Sequence, residues 1–193
     1  IKWPNKYTNK PIITIETKNA SDYEPKLSVQ SLIIEHEEII KELQNSILCL
    51  IPDGLLLSSE NVRVKPTTVG TFFCNAIRNG VGSECAVLNS GAMRANKSYK
   101  NEKSFTYADL KAELLYSTEI ITIHLPGSII ASMISYSRAI ATRDDPIEYG
   151  GFLQCDDSIE WNKQTNQVIK IAGLPINYNK KYYIALPWVI LDG

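Results

Sequence analysis

One short segment of the sequence combines residue types that suit ligand binding. An apolar run, residues 85–88, stops at Asn89, and Gly91 and Arg94 follow shortly after it. A short apolar run bounded by turn residues predicts a buried strand. Gly91 permits positive φ and close approach of the backbone, so amide N–H groups at the strand end can face an anion. Arg94 would then lie at the mouth, where its planar fork suits a carboxylate, a phosphate or a ribose edge.

The same segment has a simpler interpretation, which is a strand that ends in a turn beside a solvated arginine. Asn89 can form an Asx-turn that caps the strand end, and this role is compatible with ligand contact. Arg94 can lie in water beside that turn. The residues alone leave both interpretations open.

Metal ligands and reactive thiols are sparse and scattered in this chain. It has two histidines, His36 and His124, and neither belongs to an H-x-x-x-H or D-x-H pattern. We therefore expect no metal site in this chain. The cysteines lie far apart and none forms a C-x-x-C pair, which favours free thiols and a reducing, cytoplasmic compartment.

Charge and hydropathy exclude two classes of partner. The 20 basic and 21 acidic residues give a net charge of −1, which argues against bulk nucleic-acid binding because that needs a basic footprint. No apolar run reaches the roughly 18 residues that would span a bilayer. The 193 residues suffice for one domain with a proper core and a linker.

The first part of the chain predicts an extended arm followed by a helix. Residues 1–27 are rich in Pro, Asn, Lys and Thr, which is typical of a linker, although Ile12–Ile15 alternates like a short strand. Ser28 is a plausible N-cap for a helix from Val29 to Leu48. Apolar residues follow one stripe of this helix, and glutamates and a lysine cover the other side.

The remainder mixes helices and strands without strict alternation, which predicts an α+β fold of mixed sheets with packed helices. Helices are expected after the caps Thr67 or Thr68 and Thr106, and a further helix has Pro126 at its first position. The expected strands cover residues 55–57, 85–88, 120–125, 152–155, 158–161, 168–171 and 182–189.

Six segments together resemble one known family. In chain order they are Ser59–Arg63, Pro66–Gly70, Asn89–Arg94, Thr106–Leu110, Leu125–Gly127 and Gly150–Gln154. Their order and spacing resemble the C-terminal domain of 5'-nucleotidases, which are two-domain metallophosphoesterases. The resemblance extends from about Leu50 to Gly193, and the helical stretch before it looks like the connector after the catalytic domain.

The resemblance implies a division of labour between two domains. Residues 1–46 would be the interdomain linker and connector helix, and residues 47–193 the C-terminal domain. The N-terminal metallophosphatase domain, absent from this chain, would bind two divalent metals and hydrolyse the phosphoester. The domain in hand would hold the nucleoside part of a nucleotide or a related phosphoester. Without its catalytic partner domain, it should be inactive.

The family pattern also assigns six substrate-binding residues, namely Arg63, Asn89, Gly91, Arg94, Tyr116 and Trp188. Arg63 matches an arginine that reaches the anionic end of the substrate, and Asn89 and Arg94 belong to an N-x-G-x-x-R loop that contacts base and ribose or carboxylate. Tyr116 and Trp188 occupy the places of two aromatic clamps. Stacking on such rings is worth ~1–3 kcal/mol per base.

Several positions depart from the family pattern. Ala92 lies in the glycine-rich loop, Thr71 replaces an asparagine, and Leu115-Tyr116-Ser117 replaces a Pro-Phe-Gly turn. These changes motivate an alternative hypothesis, in which the domain is a non-catalytic binding or scaffold module. A third hypothesis is a non-nucleotide phosphoester as the substrate of the full protein.

Overall fold

A computed structural model of the chain describes residues 14–100, 102–139, 141 and 145–192, with only the backbone at position 39. The chain divides into two compact units, one ending at Glu42 and the other beginning at Leu43. The linker arm and the predicted boundary after residue 46 stay predictions.

The first unit contains a short 3-10 turn, Ala20–Asp22, and most of helix α1, Leu27–Gln44. Asn19 caps the turn by accepting a hydrogen bond from the Ser21 N–H at 3.2 Å. The apolar side chains described on α1, including Leu32 and Ile33, are exposed. The predicted strand at residues 12–15 falls partly outside the described residues, and its last two residues are not in a strand.

A four-stranded sheet organises the second unit. Its strands are β2, Cys85–Asn89; β4, Ile120–Pro126; β5, Leu153–Cys155; and β9, Lys181–Pro187. They lie in the order β4-β9-β2-β5. β2 is parallel to β9 and antiparallel to β5, and β4 is antiparallel to β9. Both pairing types occur in one sheet, so the prediction of mixed sheets is confirmed.

Two smaller sheets contain five further strands. One pairs β1, Ile47–Leu50, with β3, Ser104–Thr106. The other contains β6, Ile159–Trp161; β7, Val168–Ile171; and β8, Leu174–Pro175.

Three helices of the second unit begin at residues that the sequence identifies, whereas a fourth begins at Val189, which the sequence predicts as the end of a strand. The four helices are α2, Thr68–Val81; α3, Tyr107–Glu113; α4, Gly127–Arg138; and α5, Val189–Asp192. Thr67 caps α2, and Thr106 forms a capping box with Asp109 at the start of α3. Within the described ranges, no helix combines the length and apolarity that crossing a membrane requires.

The alternation of side chains along β2 divides the core into two clusters. Ala86 and Leu88 belong to the cluster that includes residues of α2, such as Phe73. Cys85 and Val87 belong to the cluster that includes residues of α4. Because successive side chains of a strand point to opposite faces, β2 is buried on both sides and its carboxyl end is held rigidly.

Two predicted elements are wrong. The first helix ends four residues before Leu48, because residues 47–50 pair with β3 instead. Residues 55–57 form no strand. The hydroxyl of Thr68 donates to Leu56 O at 2.8 Å and accepts from the Ser58 N–H at 2.8 Å. The pairing that forms here is an isolated antiparallel bridge between Ser58 and Ser98.

Candidate functional site

The loop after β2 is fixed by its contacts with residues 149–152. The Gly91 N–H donates to Gly150 O at 2.7 Å, and the Ser90 N–H donates to Phe152 O at 2.8 Å. A Cβ at Gly91 would lie 3.1 Å from Gly150 O. The glycine is therefore needed for close approach of two backbones, and not for the positive φ that the sequence allowed.

Arg94 lies just beyond this loop, beside one of the two predicted aromatic residues. Its backbone N–H donates to Glu113 O at 2.8 Å, which ties the loop to the end of α3. The Cζ of its guanidinium is 5.8 Å from the ring centre of Tyr116, a cation–π distance. Tyr116 itself is 66% exposed.

Arg63 lines the same cleft as Arg94. The cleft has a volume of about 200 Å³, and its other lining residues are Asn61, Val62, Met93, Asn96 and Glu148. Arg63 Nη1 is 4.0 Å from Glu148 Oε2, and Arg63 O accepts from the Tyr149 N–H at 3.3 Å. Two arginines that are 31 positions apart in sequence thus border one small polar space.

A buried amide holds the segment that carries Arg63. Gln154 is fully buried on β5, and its Nε2 donates to both Val62 O and Lys65 O at 2.8 Å. Its Oε1 accepts from the Thr67 N–H at 2.8 Å. The residue therefore fixes the chain on both sides of Arg63. Gln154 lies in a segment of the family pattern, but no signal in the sequence assigned it this role.

The residue whose carbonyl binds the Arg94 N–H, Glu113, carries a buried carboxyl. Glu113 is fully buried at the end of α3, and its Oε1 accepts from the Tyr99 hydroxyl at 2.9 Å. Burial raises the pKa of Glu113, against the opposing influence of hydrogen bonds from Ser59 and Tyr99. Burial and the neighbouring Glu113 also raise the pKa of Tyr99.

Asn89 and Gly91 line a second, larger cavity of about 520 Å³. Its other lining residues are Met133, Tyr136, Ser137, Tyr149, Gly150, Gly151, Leu153, Val189 and Ile190. The Oδ1 of Asn89 is buried, with no hydrogen-bond partner among the described residues. A buried acceptor without a partner is costly, so this atom is available to a donor from a ligand.

The six predicted residues therefore fall into separate groups. Arg63 and Arg94 share the polar cleft, Tyr116 lies beside Arg94, and Asn89 and Gly91 line the larger cavity. Trp188 lies after β9, where its N–H donates to Glu119 O at 2.9 Å, and it is 49% exposed. The described residues lining the two cavities include neither Tyr116 nor Trp188.

The described part of the chain has no group of three or more His, Cys, Asp or Glu residues placed to hold a metal ion. The cysteines are free thiols, and burial raises the pKa of Cys74, Cys85 and Cys155. Low-pKa thiolates are the reactive form of cysteine, so these three have a structural character.

Comparison with known families gives this arrangement a context. The model of the 5'-nucleotidase C-terminal domain matches residues 51–193. This chain belongs to the 5'-nucleotidase C-terminal domain family. The family predicted from the six sequence segments is thus confirmed, and with it the hydrolase class to which such domains belong. No curated protein sequence matches the chain closely enough to count as a relative.

Solved structures with a similar fold include three nucleotidases. The 5'-nucleotidase precursor of Thermus thermophilus is 14% identical with a TM-score of 0.65, over 86% of this chain and 34% of its own. Haemophilus influenzae NAD nucleotidase is 16% identical with a TM-score of 0.61, over 87% and 33%. A putative 5'-nucleotidase of Staphylococcus aureus, in complex with alpha-ketoglutarate, is 10% identical with a TM-score of 0.58, over 88% and 36%.

These likenesses concern the fold alone, because every identity is low. The 5'-nucleotidase C-terminal domain described here spans about a third of the length of the solved chains that it matches. The same fold also occurs in the sulfate thiohydrolase SoxB of Thermus thermophilus, at 14% identity and a TM-score of 0.61.

Proposed function

We propose that this domain is the substrate-recognition part of a 5'-nucleotidase-type phosphoester hydrolase. It holds the nucleoside part of a nucleotide while a catalytic domain outside this chain, with two divalent metals, cleaves the phosphate. The observation that carries this proposal is the shared cleft of Arg63 and Arg94. Two arginines that line one small space are suited to the anionic or ribose end of such a ligand.

The surroundings of the arginines support binding of an anion. The pair between Arg63 and Glu148 is long, at 4.0 Å, and Glu148 is 73% exposed, so the pair is weak. A phosphate or carboxylate can displace it at little cost. In this proposal, Asn89 and Gly91 contact the base, and Tyr116 and Trp188 supply aromatic faces at the rim.

Calorimetric titration with AMP, adenosine and a UDP-sugar tests the proposal. We expect AMP to bind at millimolar or lower concentration, and Arg94→Ala to weaken it about tenfold or more, since charge-assisted bonds are the strong ones. The control is Lys170→Ala, which removes an exposed lysine paired with Glu160 on another sheet. If no nucleotide binds, or if Arg94→Ala changes nothing, the proposal is wrong.

The second candidate function is a non-catalytic binding or scaffold module. The observation favouring it is that the Arg94 guanidinium lies over the Tyr116 ring, the expected clamp for a base. Hydrolysis of AMP by the full-length protein separates the two functions. Metal-dependent release of phosphate that Arg94→Ala diminishes supports the hydrolase, whereas no hydrolysis together with no AMP binding supports the module.

A further inference from the structure

The larger cavity has features that the six predicted residues do not account for. Apolar and aromatic side chains form most of its lining, and Asn89 contributes a buried Oδ1 that has no partner among the described residues. Two tyrosines, Tyr136 and Tyr149, line it. Neither was assigned a role by the family pattern.

Tyr149 is held in place by its own backbone and by a glycine. Its carbonyl accepts from the Ser90 hydroxyl at 3.0 Å, and its N–H donates to Arg63 O at 3.3 Å. Its ring lies against Gly151, where an added Cβ would be 2.5 Å from the Tyr149 Cζ. The residue as a whole is nevertheless 40% exposed. It is therefore an aromatic platform in a fixed position with accessible surface.

Tyr136 adds a second aromatic group on α4. It is 78% exposed and lines the same cavity. The next residue, Ser137, is buried and accepts a hydrogen bond from the Leu153 N–H at 3.2 Å, which joins α4 to β5 beside the cavity. An aromatic wall and a buried amide oxygen together suit a planar aromatic group that carries a hydrogen-bond donor.

Consecutive residues of the chain line the two cavities. Glu148 borders the arginine cleft, and Tyr149 borders the larger cavity. One ligand with an anionic end and an aromatic end could therefore span this segment. Tyr116 is less suited to the aromatic end, because the Arg94 guanidinium lies over its ring.

The geometry points to a new aryl-binding subsite in the larger cavity, with Tyr149 as the principal platform and Tyr136 beside it. Its ligand is the planar, donor-bearing ring of the molecule whose anionic end lies at Arg63 and Arg94. This inference rests on the proposed function, and it replaces the ring of Tyr116 by that of Tyr149 as the main stacking surface.

Dissection of the ligand tests the subsite. AMP carries both ends, adenosine only the aromatic end, and ribose 5-phosphate only the anionic end; each is titrated by calorimetry into the full chain. We expect Tyr149→Ala to weaken AMP and adenosine about tenfold and to leave ribose 5-phosphate unchanged, because a base stacked on a ring gains this much. Tyr149→Phe keeps the ring and should bind as the wild type does. Tyr116→Ala should cost less than Tyr149→Ala.

The matched control is Tyr23→Ala, which removes another half-exposed tyrosine, in the first compact unit. Since Tyr149 packs on Gly151, thermal unfolding of each variant is measured to show that it still folds. Tyr136→Ala, at an exposed position, provides a second test, with a smaller expected loss of adenosine binding. If Arg94→Ala weakens AMP but both tyrosine-to-alanine variants bind adenosine as the wild type does, the subsite is wrong and the proposed function stands. If the wild type binds none of the three ligands, both are wrong.

Discussion

The two arginines of the cleft are supported by buried polar groups of opposite kind. Below Arg63 lies Gln154, a neutral amide whose two donor bonds and one acceptor bond all measure 2.8 Å. The Arg94 N–H bonds to the carbonyl of Glu113, an acid that is equally buried but whose pKa is raised by that burial. Both side chains lie in the interior of the domain.

The two supports should respond differently to a change of pH. A neutral amide with satisfied hydrogen bonds gives the same rigidity at any pH. The fully buried carboxyl of Glu113 is disfavoured in its charged form, because desolvation penalises the ion more than its hydrogen bonds compensate. The position of Arg63 should therefore be insensitive to pH, whereas the support of Arg94 should weaken as the pH rises.

The largest effect is expected for Gln154→Leu. The substitution leaves the carbonyls of Val62 and Lys65 and the N–H of Thr67 without their partner. We expect the free energy of unfolding to fall by about 3–4 kcal/mol, measured by urea denaturation. The control Gln164→Leu, at an exposed position, should change it by less than about 0.5 kcal/mol. A loss below about 1 kcal/mol for Gln154→Leu would contradict this account of the Arg63 support.

Gly70→Ala should have the next largest effect. An added Cβ on α2 would lie 2.7 Å from Gln154 Cδ, so the amide must move. We expect the free energy of unfolding to fall by about 2–3 kcal/mol. The fall should be smaller when Gln154 is already replaced, because the two sites share one contact. The matched control lies on the same helix: a Cβ at Gly80 meets nothing within 4 Å, and Gly80→Ala should stabilise by up to about 1 kcal/mol. Equal effects at the two glycines would refute the prediction.

Glu113→Gln tests the contrasting support. Because the folded-state pKa of Glu113 is raised, its contribution to stability is complete below the ordinary glutamate pKa of about 4.3 and is lost as the pH rises through the folded-state value. The variant should thus be more stable than the wild type at pH 7, and the gap should close near pH 4. Thermal unfolding of both proteins from pH 4 to pH 8 measures this difference in stability.

Asp109→Asn is the control of opposite sign for that experiment. Although burial opposes it, bonds from Thr106 and Lys97 lower the pKa of Asp109. Its contribution is therefore present above the ordinary aspartate pKa of about 3.9 and is lost at lower pH. This variant should be less stable than the wild type at pH 7. Gaps of the same sign for the two variants at pH 7 would count against the assignment.

The smallest effect is expected for Glu148→Gln, at the exposed rim of the cleft. Its pair with Arg63 spans 4.0 Å, so the substitution should change the free energy of unfolding by less than about 0.5 kcal/mol. Affinity for AMP should rise modestly, because the acid no longer competes with the phosphate. Calorimetry at low salt detects this change, and weaker binding by the variant would show that Glu148 assists the ligand instead.

Much of the fold could be predicted from the sequence because its signals are local. The cap residues Thr67 and Thr106 act within three positions of themselves, as does the turn that ends β2 after Asn89. The apolar run of β2 needs no distant partner to be identified, since both its faces are buried. The family pattern added Arg63 and Arg94, which the structure places at one cleft.

The wrong predictions have distant causes. Residues 47 and 48 continue a helical pattern in sequence, yet they belong to a strand because β3 offers a partner more than 50 positions away. Residues 55–57 carry strand-forming side chains, but the pairing that forms is a single bridge of the next residue, Ser58, with Ser98. Tertiary context overrides local preference in both cases.

The sequence by itself determined the α+β class, the caps, the buried central strand and the family, because periodicity and short motifs specify local structure. Only the tertiary structure decided which side chains support the arginines and which line each cavity. Gln154 is 92 positions from Val62, and Tyr149 is 60 positions from Asn89. Such pairs meet only when the chain folds and buries apolar surface, so no local pattern encodes them.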